Sequence, residues 1–223
     1  MPVKTGLRAL FKSHYHSFIY KSIMYSDFKY QFIKNSLLLL ITIISLHPII
    51  VLSDSETQLW DKLKQGGLVI VMRHSAVIKS KQHGQPMLRD PSCRKEIKLS
   101  AKGKLQAAYT GKLFSIKNIP VEEVLTSPYC RTIETAKIAF SKNRAVDFLI
   151  LLDALPQTQA EANTKTLSQR IGSYSGKGNL IIITHAPNIN AISFETIETG
   201  EFIVFTPMGN NEFEEAGKIK AAQ

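Results

Sequence analysis

The chain has 223 residues, 44% of them hydrophobic and 21% charged, which suits one well-buried domain plus an appendage and excludes a low-complexity or fibrous chain. Its formal charge of +10 invites a nucleic-acid reading, but residues 1–53 hold six basic residues against one acid, Asp27. Taking those from the totals of 28 and 18 leaves 22 basic and 17 acidic groups, a mild bias that fits anionic small substrates and excludes a nucleic-acid stripe.

The first element in the chain is SLLLLITIISLHPIIVLS, 36–53, an uncharged apolar run behind Lys29 and Lys34 that reads as a membrane-targeting segment. It is at the short edge of what a spanning helix needs. Cleavage after Ser53 and an uncleaved anchor touching the membrane through 36–52 are both compatible with it. Met24, ahead of YSDFKYQFIKN, would open a signal peptide of ordinary length and is read as the start. Residues 1–53 are thus the targeting segment and 54–223 the working domain, exported to the periplasm or anchored facing it.

Next, Leu59, Trp60 and Leu63 at helical spacing predict a short helix, with Ser55 as a possible cap and Gly66–Gly67 closing it. LVIVM, 68–72, is a buried strand that ends abruptly in Arg73–His74. Residues 75–98 have no sustained period and read as a long loop over the sheet. Ser100 caps a helix through SAKGKLQAAYTGKLFS. VEEVLTS, 121–127, is a second strand, and Pro128 is expected in the first turn of the helix PYCRTIETAKIAF. AVDFLILL, 145–152, is expected as a third apolar strand, followed by a polar helix over about 160–174. Leu180–Thr184 is a fourth strand, ending at His185, and EFIVFTP, 201–207, is expected as an edge strand stopped by Pro207. Strands alternating with helices predict a three-layer α/β sandwich: a mostly parallel sheet with helices on both faces.

Three apolar strands in this reading lead into polar groups at Arg73–His74, Arg131 and His185. A histidine at a strand end is usually structural, and an early-helix arginine usually solvated. Parallel strand ends converge on one crevice, however, and would bring two imidazoles and two guanidiniums together. Guanidiniums neutralise phosphoryl oxygens with paired donors, and a neutral imidazole with its other nitrogen bonded to a backbone carbonyl is a competent nucleophile. Neither CxxC nor HExxH occurs, and the scheme requires no metal or other cofactor.

VMRHS, LSAKGKLQA with LTSPYCRTIETA, and IITHAPNI resemble the three ordered signatures of the histidine phosphatase superfamily, the phosphoglycerate-mutase-like proteins, over roughly residues 66–207. The resemblance implies a phosphoric monoester hydrolase of the histidine acid phosphatase type. His74 would be the nucleophile, with Arg73, Arg131 and His185 as the phosphate clamp and His185 adding charge if protonated. Ser75 stands where many members have glycine and, with Asn188, is a candidate substrate-binding residue. Asp153 occupies the place of the general acid, with Glu161, Glu195 and Glu201 as alternatives. No substrate-specifying glutamate stands in the mutase context, which favours water as acceptor. The branch most similar is the short exported one that includes lipopolysaccharide-core heptose phosphatases, implying a small-molecule or glycolipid phosphoester substrate. The alternatives are a non-catalytic phosphate- or anion-binding envelope protein of the same fold, and a phosphohistidine-protein phosphatase, which would need a cytosolic domain.

His83 and Arg89 in the long loop read as solvated charges, and His14, His16 and His47 fall in the targeting segment. Cys93 and Cys130 could pair in an oxidising compartment or stand as free thiols in a reducing one. No second motif supports Cys130 as a nucleophile.

Overall fold

A computed structural model describes residues 56–79 and 85–220. The targeting segment, with Met24, the 36–52 run and the histidines at 14, 16 and 47, lies outside the described residues, as do Ser55 and His83.

The elements in chain order are α1 (Glu56–Gln65), β1 (Val69–Arg73), α2 (Ala101–Ile116), β2 (Val121–Thr126), α3 (Cys130–Phe140), β3 (Arg144–Ala145), α4 (Gln157–Gly172), β4 (Asn179–Thr184), α5 (Ala186–Asn190), β5 (Phe202–Gly209) and β6 (Glu212–Ile219). Short 3₁₀ turns occupy Asp147–Leu149 and Leu152–Ala154. The strands form one sheet in the order β3-β2-β4-β1-β5-β6. The first four run parallel, and β5 and β6 add an antiparallel hairpin beside β1.

Period-two alternation sorts the strand residues between two cores. Ile70 and Met72 of β1 join Ile181 and Ile183 of β4 beneath Trp60, Leu63, Phe114 and Ala136 of α1–α3. Val69, Val71, Leu180 and Ile182 point the other way, against Leu167 and Ile171 of α4 and against Leu149. Because both faces are covered, β4 is buried along its whole length, which is why NLIIIT carries no polar alternation. The expected three-layer α/β architecture is the one observed. Among the described residues no helix is long and apolar enough to cross a membrane.

Three elements differ from expectation. The 145–152 run is not a strand: only Arg144 and Ala145 pair with β2, after which the chain turns twice. Leu149 is fully buried and Leu151 almost so, with Val146, Phe148, Ile150 and Leu152 half-buried, but side chains take the carbonyls of Leu149 and Ile150. Thr184 Oγ1 donates to Leu149 O at 3.2 Å and Asn188 Nδ2 to Ile150 O at 2.9 Å. The second difference is β5, which runs on through Pro207 and lies inside the sheet. β1 pairs only as far as Phe205, so the proline removes no β1–β5 hydrogen bond. The true edge is β6, whose alternating glutamates suit a solvent-facing edge, joined to β5 through Asn210 and Asn211, both at positive φ. Third, Pro128 lies ahead of α3, which begins at Cys130 with Tyr129 at its cap.

Candidate active site

Parallel pairing brings the strand ends to one edge. Arg73 is in register with Thr184, and Thr126 with Ile183. The pairing extends one residue further, since His74 N–H donates to Thr184 O and Ser127 N–H to Ile183 O, each at 3.0 Å. His74 and His185 therefore leave the sheet at the same height, with Ser127 one residue below them. Arg131 arrives from the first turn of α3. The rings of His74 and His185 are 5.5 Å apart.

These groups line a cavity of about 260 Å³ whose wall includes Arg73, His74, Arg131, Asp153 and His185, with Pro86, Ile97 and Leu151 as apolar neighbours. Ser75 and Asn188 are not among the lining residues. Asn188 is buried and spends its amide on the 149–152 turn, donating to Ile150 O and accepting weakly from Leu152 N–H. It shapes the turn that presents Leu151 and Asp153. Ser75 is buried too: its carbonyl serves His74, and its Oγ has no hydrogen-bond partner among the described residues. Of the four carboxylates considered as proton donors, only Asp153 reaches the wall. Glu161 is exposed on α4 and held by Gln157, Glu195 pairs with Lys218, and Glu201 accepts from the N–H of Glu198.

His74 Nδ1 lies 2.9 Å from Ser75 O. A carbonyl can only accept, so Nδ1 carries the hydrogen and Nε2 keeps its lone pair. Burial, then the charge of Arg131, pulls the His74 pKa down to about 3, and Arg73 adds to this, so the imidazole is neutral at neutral pH. In His185, Nδ1 accepts from Arg131 Nη2 at 3.2 Å and Nε2–H donates to Ser127 Oγ at 2.8 Å. That pattern fits neutral imidazole only. Burial, then Arg131, lowers its pKa well below the ordinary value. In the ligand-free protein the condition under which His185 would add charge is not met: Arg131 supplies the positive charge, and His185 orients it.

The arginines are built in from several directions. Arg73 Nη1 donates to Ile197 O at 2.8 Å, and Arg131 Nη2 also donates to Pro86 O at 3.1 Å. The Arg131 guanidinium stacks over the Tyr129 ring at 4.4 Å, and Tyr129 in turn donates its hydroxyl hydrogen to Met87 O. Arg73 Nε and Arg131 Nη1 are buried without a hydrogen-bond partner among the described residues. Leaving a charged donor buried and unpaired costs roughly 1–3 kcal/mol or more, so two of them beside one imidazole mark a site built for an anion.

Several residues that support the site were missed from sequence. Thr135, one turn after Arg131, accepts from Ser75 N–H at 3.1 Å and donates to Arg131 O at 2.7 Å, linking the His74 segment to the arginine helix. Glu96, 2% exposed, accepts from Cys130 N–H at 2.7 Å and from Asp90 N–H at 2.8 Å, so it caps α3 in place of a local side chain. A disulfide joins Cys93 to Cys130, settling the pairing that spacing alone left open. The i+4 position of Thr135 was a usable signal; an acid in a period-free loop was none. Among the described residues, no group of three or more His, Cys, Asp or Glu is placed to hold a metal ion.

A family model described as histidine phosphatase superfamily (branch 1) matches residues 69–153. That stretch carries Arg73, His74, Arg131 and Asp153, and the sheet brings His185 to them from outside it. No curated protein matches the chain. Among solved structures, the chain is similar to YhfR of Bacillus stearothermophilus, with a TM-score of 0.52 at 13% identity over 67% of this chain and 95% of that one. It is also similar to the protein histidine phosphatase SixA complexed with tungstate, at TM-score 0.48 and 15% identity over 69% and 96% of the two chains. For Rv3214 of Mycobacterium tuberculosis the figures are 0.49 and 15% over 70% and 95%. The fold is phosphoglycerate-mutase-like.

Proposed function

We propose that the protein is an exported phosphomonoesterase that works through a phosphohistidine at His74. The observation that carries this reading is the pair of buried, unpartnered guanidinium donors, Arg73 Nε and Arg131 Nη1, beside an imidazole held neutral with Nε2 free. A phosphoryl group in the cavity takes its equatorial oxygens to the two guanidiniums, which places phosphorus in front of His74 Nε2. The Nε2 lone pair forms the P–N bond as the P–O bond to the leaving group breaks, and Asp153 at the mouth gives the leaving oxygen its proton. Water then attacks phosphorus, Asp153 takes a proton from it, the P–N bond breaks, and inorganic phosphate departs with His74 neutral again.

The cavity has the size of a small phosphoryl-bearing group, which suits a small phosphomonoester or a phosphosugar projecting from a larger envelope glycolipid. The heptose phosphates of a lipopolysaccharide core are the substrate class to which the sequence resemblance points. Export is supported by the uncharged 36–52 run and by the Cys93–Cys130 disulfide, which belongs to an oxidising compartment.

The test assays the full chain beside His74→Ala and Asp153→Asn on p-nitrophenyl phosphate and on an alkyl phosphate. His74→Ala should be inactive on both. Asp153→Asn should lose much more on the alkyl ester, whose alkoxide cannot leave without a proton. Equal loss on both esters would remove Asp153 from the acid role, and turnover by His74→Ala would remove the nucleophile. A wild type without turnover on a broad phosphoester panel would support the anion-binding alternative. A fusion of residues 1–60 to a reporter active only outside the cytoplasm tests export, and a silent fusion would withdraw it.

A further inference from the structure

Helix α2 turns an unusual face to solvent. Leu105 is 72% exposed, Ile116 64% and Tyr109 47%, although its opposite face, with Ala107, Thr110 and Phe114, is already buried in the core. Positions 102, 105, 109, 112 and 116 follow spacings of three and four, so Lys102, Leu105, Tyr109, Lys112 and Ile116 form one stripe along the outside of the helix. From Lys98 to Lys117 the sequence holds five lysines and no acid. The acid that reaches this face from a neighbouring element is Glu134 of α3, 3.2 Å from Lys104, which leaves the stripe lysines at 102 and 112 clear of it.

We propose that this face of α2 docks on an anionic lipid surface. Apolar side chains projecting between lysines are what an interfacial helix presents: the rings and aliphatic tips enter the acyl boundary while lysine stems extend to the phosphates. A second copy of this chain would bring Lys102 and Lys112 against the same two lysines, and an acid-free stripe offers them no counter-charge. A lipid surface supplies it. The chain outside the described residues agrees with that occupant, because the uncharged 36–52 run ends just ahead of α1. Trp60 of α1 packs edge-on against Phe114 of α2 at 5.7 Å, and Lys117 sits over the same indole. At its other end, α2 is tied to the active site through Ser100, whose N–H donates to Ala76 O two residues after His74. Docking along the stripe therefore sets the reacting edge beside a bilayer, within reach of phosphoesters carried at its surface.

The test uses the full chain with an environment-sensitive fluorophore on Leu105→Cys and, separately, on Glu161→Cys at an exposed position of α4. Each is mixed with vesicles of phosphatidylcholine alone or with added phosphatidylglycerol. The expected result is a blue shift at 105 that is quenched by lipid-borne quenchers, appears only with phosphatidylglycerol, and is lost in Lys102→Glu/Lys112→Glu. Position 161 should keep aqueous emission even when the chain floats with the vesicles. Aqueous emission at 105 with anionic vesicles would overturn the proposal, whether or not the chain floats. So would a shift at 105 that needs no lipid and grows with protein concentration, which would give the face to a second copy. Activity on a soluble ester is read separately, so failure of docking and failure of the His74 chemistry are distinguishable.

Discussion

Replacing Gly103 by alanine sets two effects of opposite sign against each other at the back of the active site. Gly103 lies in the first turn of α2, where alanine in place of glycine ordinarily stabilises a helix by about 0.5–1 kcal/mol. Here the added Cβ would stand 1.9 Å from Ala76 O and 2.8 Å from Ala76 C, where ordinary contact begins at 3.4 Å. The partner is backbone, so it cannot rotate away, and α2 must part from residues 75–77 by roughly 1.5 Å, an overpacking cost of about 1–3 kcal/mol. Sterics therefore win by about 1–2 kcal/mol, which lowers the midpoint of a domain this size by roughly 2–8 °C. The same displacement strains Ser100 N–H to Ala76 O at 2.9 Å and Ala76 N–H to Gln106 Oε1 at 3.0 Å. Ser75 O, which fixes the His74 tautomer, is one residue away. Misplacing a nucleophile by about 1 Å can cost on the order of 100-fold, so kcat/KM on p-nitrophenyl phosphate should fall by about 10- to 100-fold. Thermal melts and steady-state kinetics on the same sample give both numbers. A midpoint equal to or above wild type, with unchanged kcat/KM, would refute the close approach and the reasoning built on it.

Glu96→Gln should lower the thermal midpoint by about 5–15 °C, because the amide keeps one acceptor, turns an N–H toward the other buried backbone donor, and so costs about 2–4 kcal/mol. A melt within about 2 °C of wild type would exclude the capping role. Reducing the Cys93–Cys130 bridge, which spans 37 residues, should cost about 3–4 kcal/mol, measured as a drop in the urea midpoint of the wild type under reductant. Acid should also destabilise the fold. An unfolded histidine titrates near 6.5 and folded His74 at about 3, so the unfolded chain binds its proton first. The contribution is present above pH of about 6.5 and lost on acidification toward 3, amounting to at most roughly 4–5 kcal/mol. Urea titrations between those limits should show stability rising with pH, and His74→Gln should flatten the slope by about one proton; an unchanged slope would mean that His74 is not held neutral.

The sequence made the reacting edge legible because buried parallel strands announce both their identity and their ends. VIVMRH and NLIIITH are apolar runs interrupted by a histidine, and once both are strands of one parallel sheet the convergence of His74 and His185 follows. Other parts hinged on partners remote in sequence. AVDFLILL has strand composition, yet the side chains of Thr184 and Asn188 claim its carbonyls, which no local pattern discloses. β6 was hidden by its glutamates, although the Asn210–Asn211 turn ahead of it was a readable hairpin signal. The neutrality of His185 depends on the direction of one hydrogen bond from Arg131, across 54 residues of chain, and Glu96 caps α3 from a loop that has no period to read.

The central claim is that His74 Nε2 takes the phosphoryl group. Mixing the full chain with a phosphomonoester, quenching in alkali within the turnover time and mapping the modified peptide by mass spectrometry tests it most directly, since phosphohistidine survives alkali while acyl phosphates do not. One phosphoryl group on the peptide containing His74, absent from His74→Ala, is the predicted result. A phosphoryl group on His185 or another residue, or undiminished turnover in His74→Ala, would contradict the account.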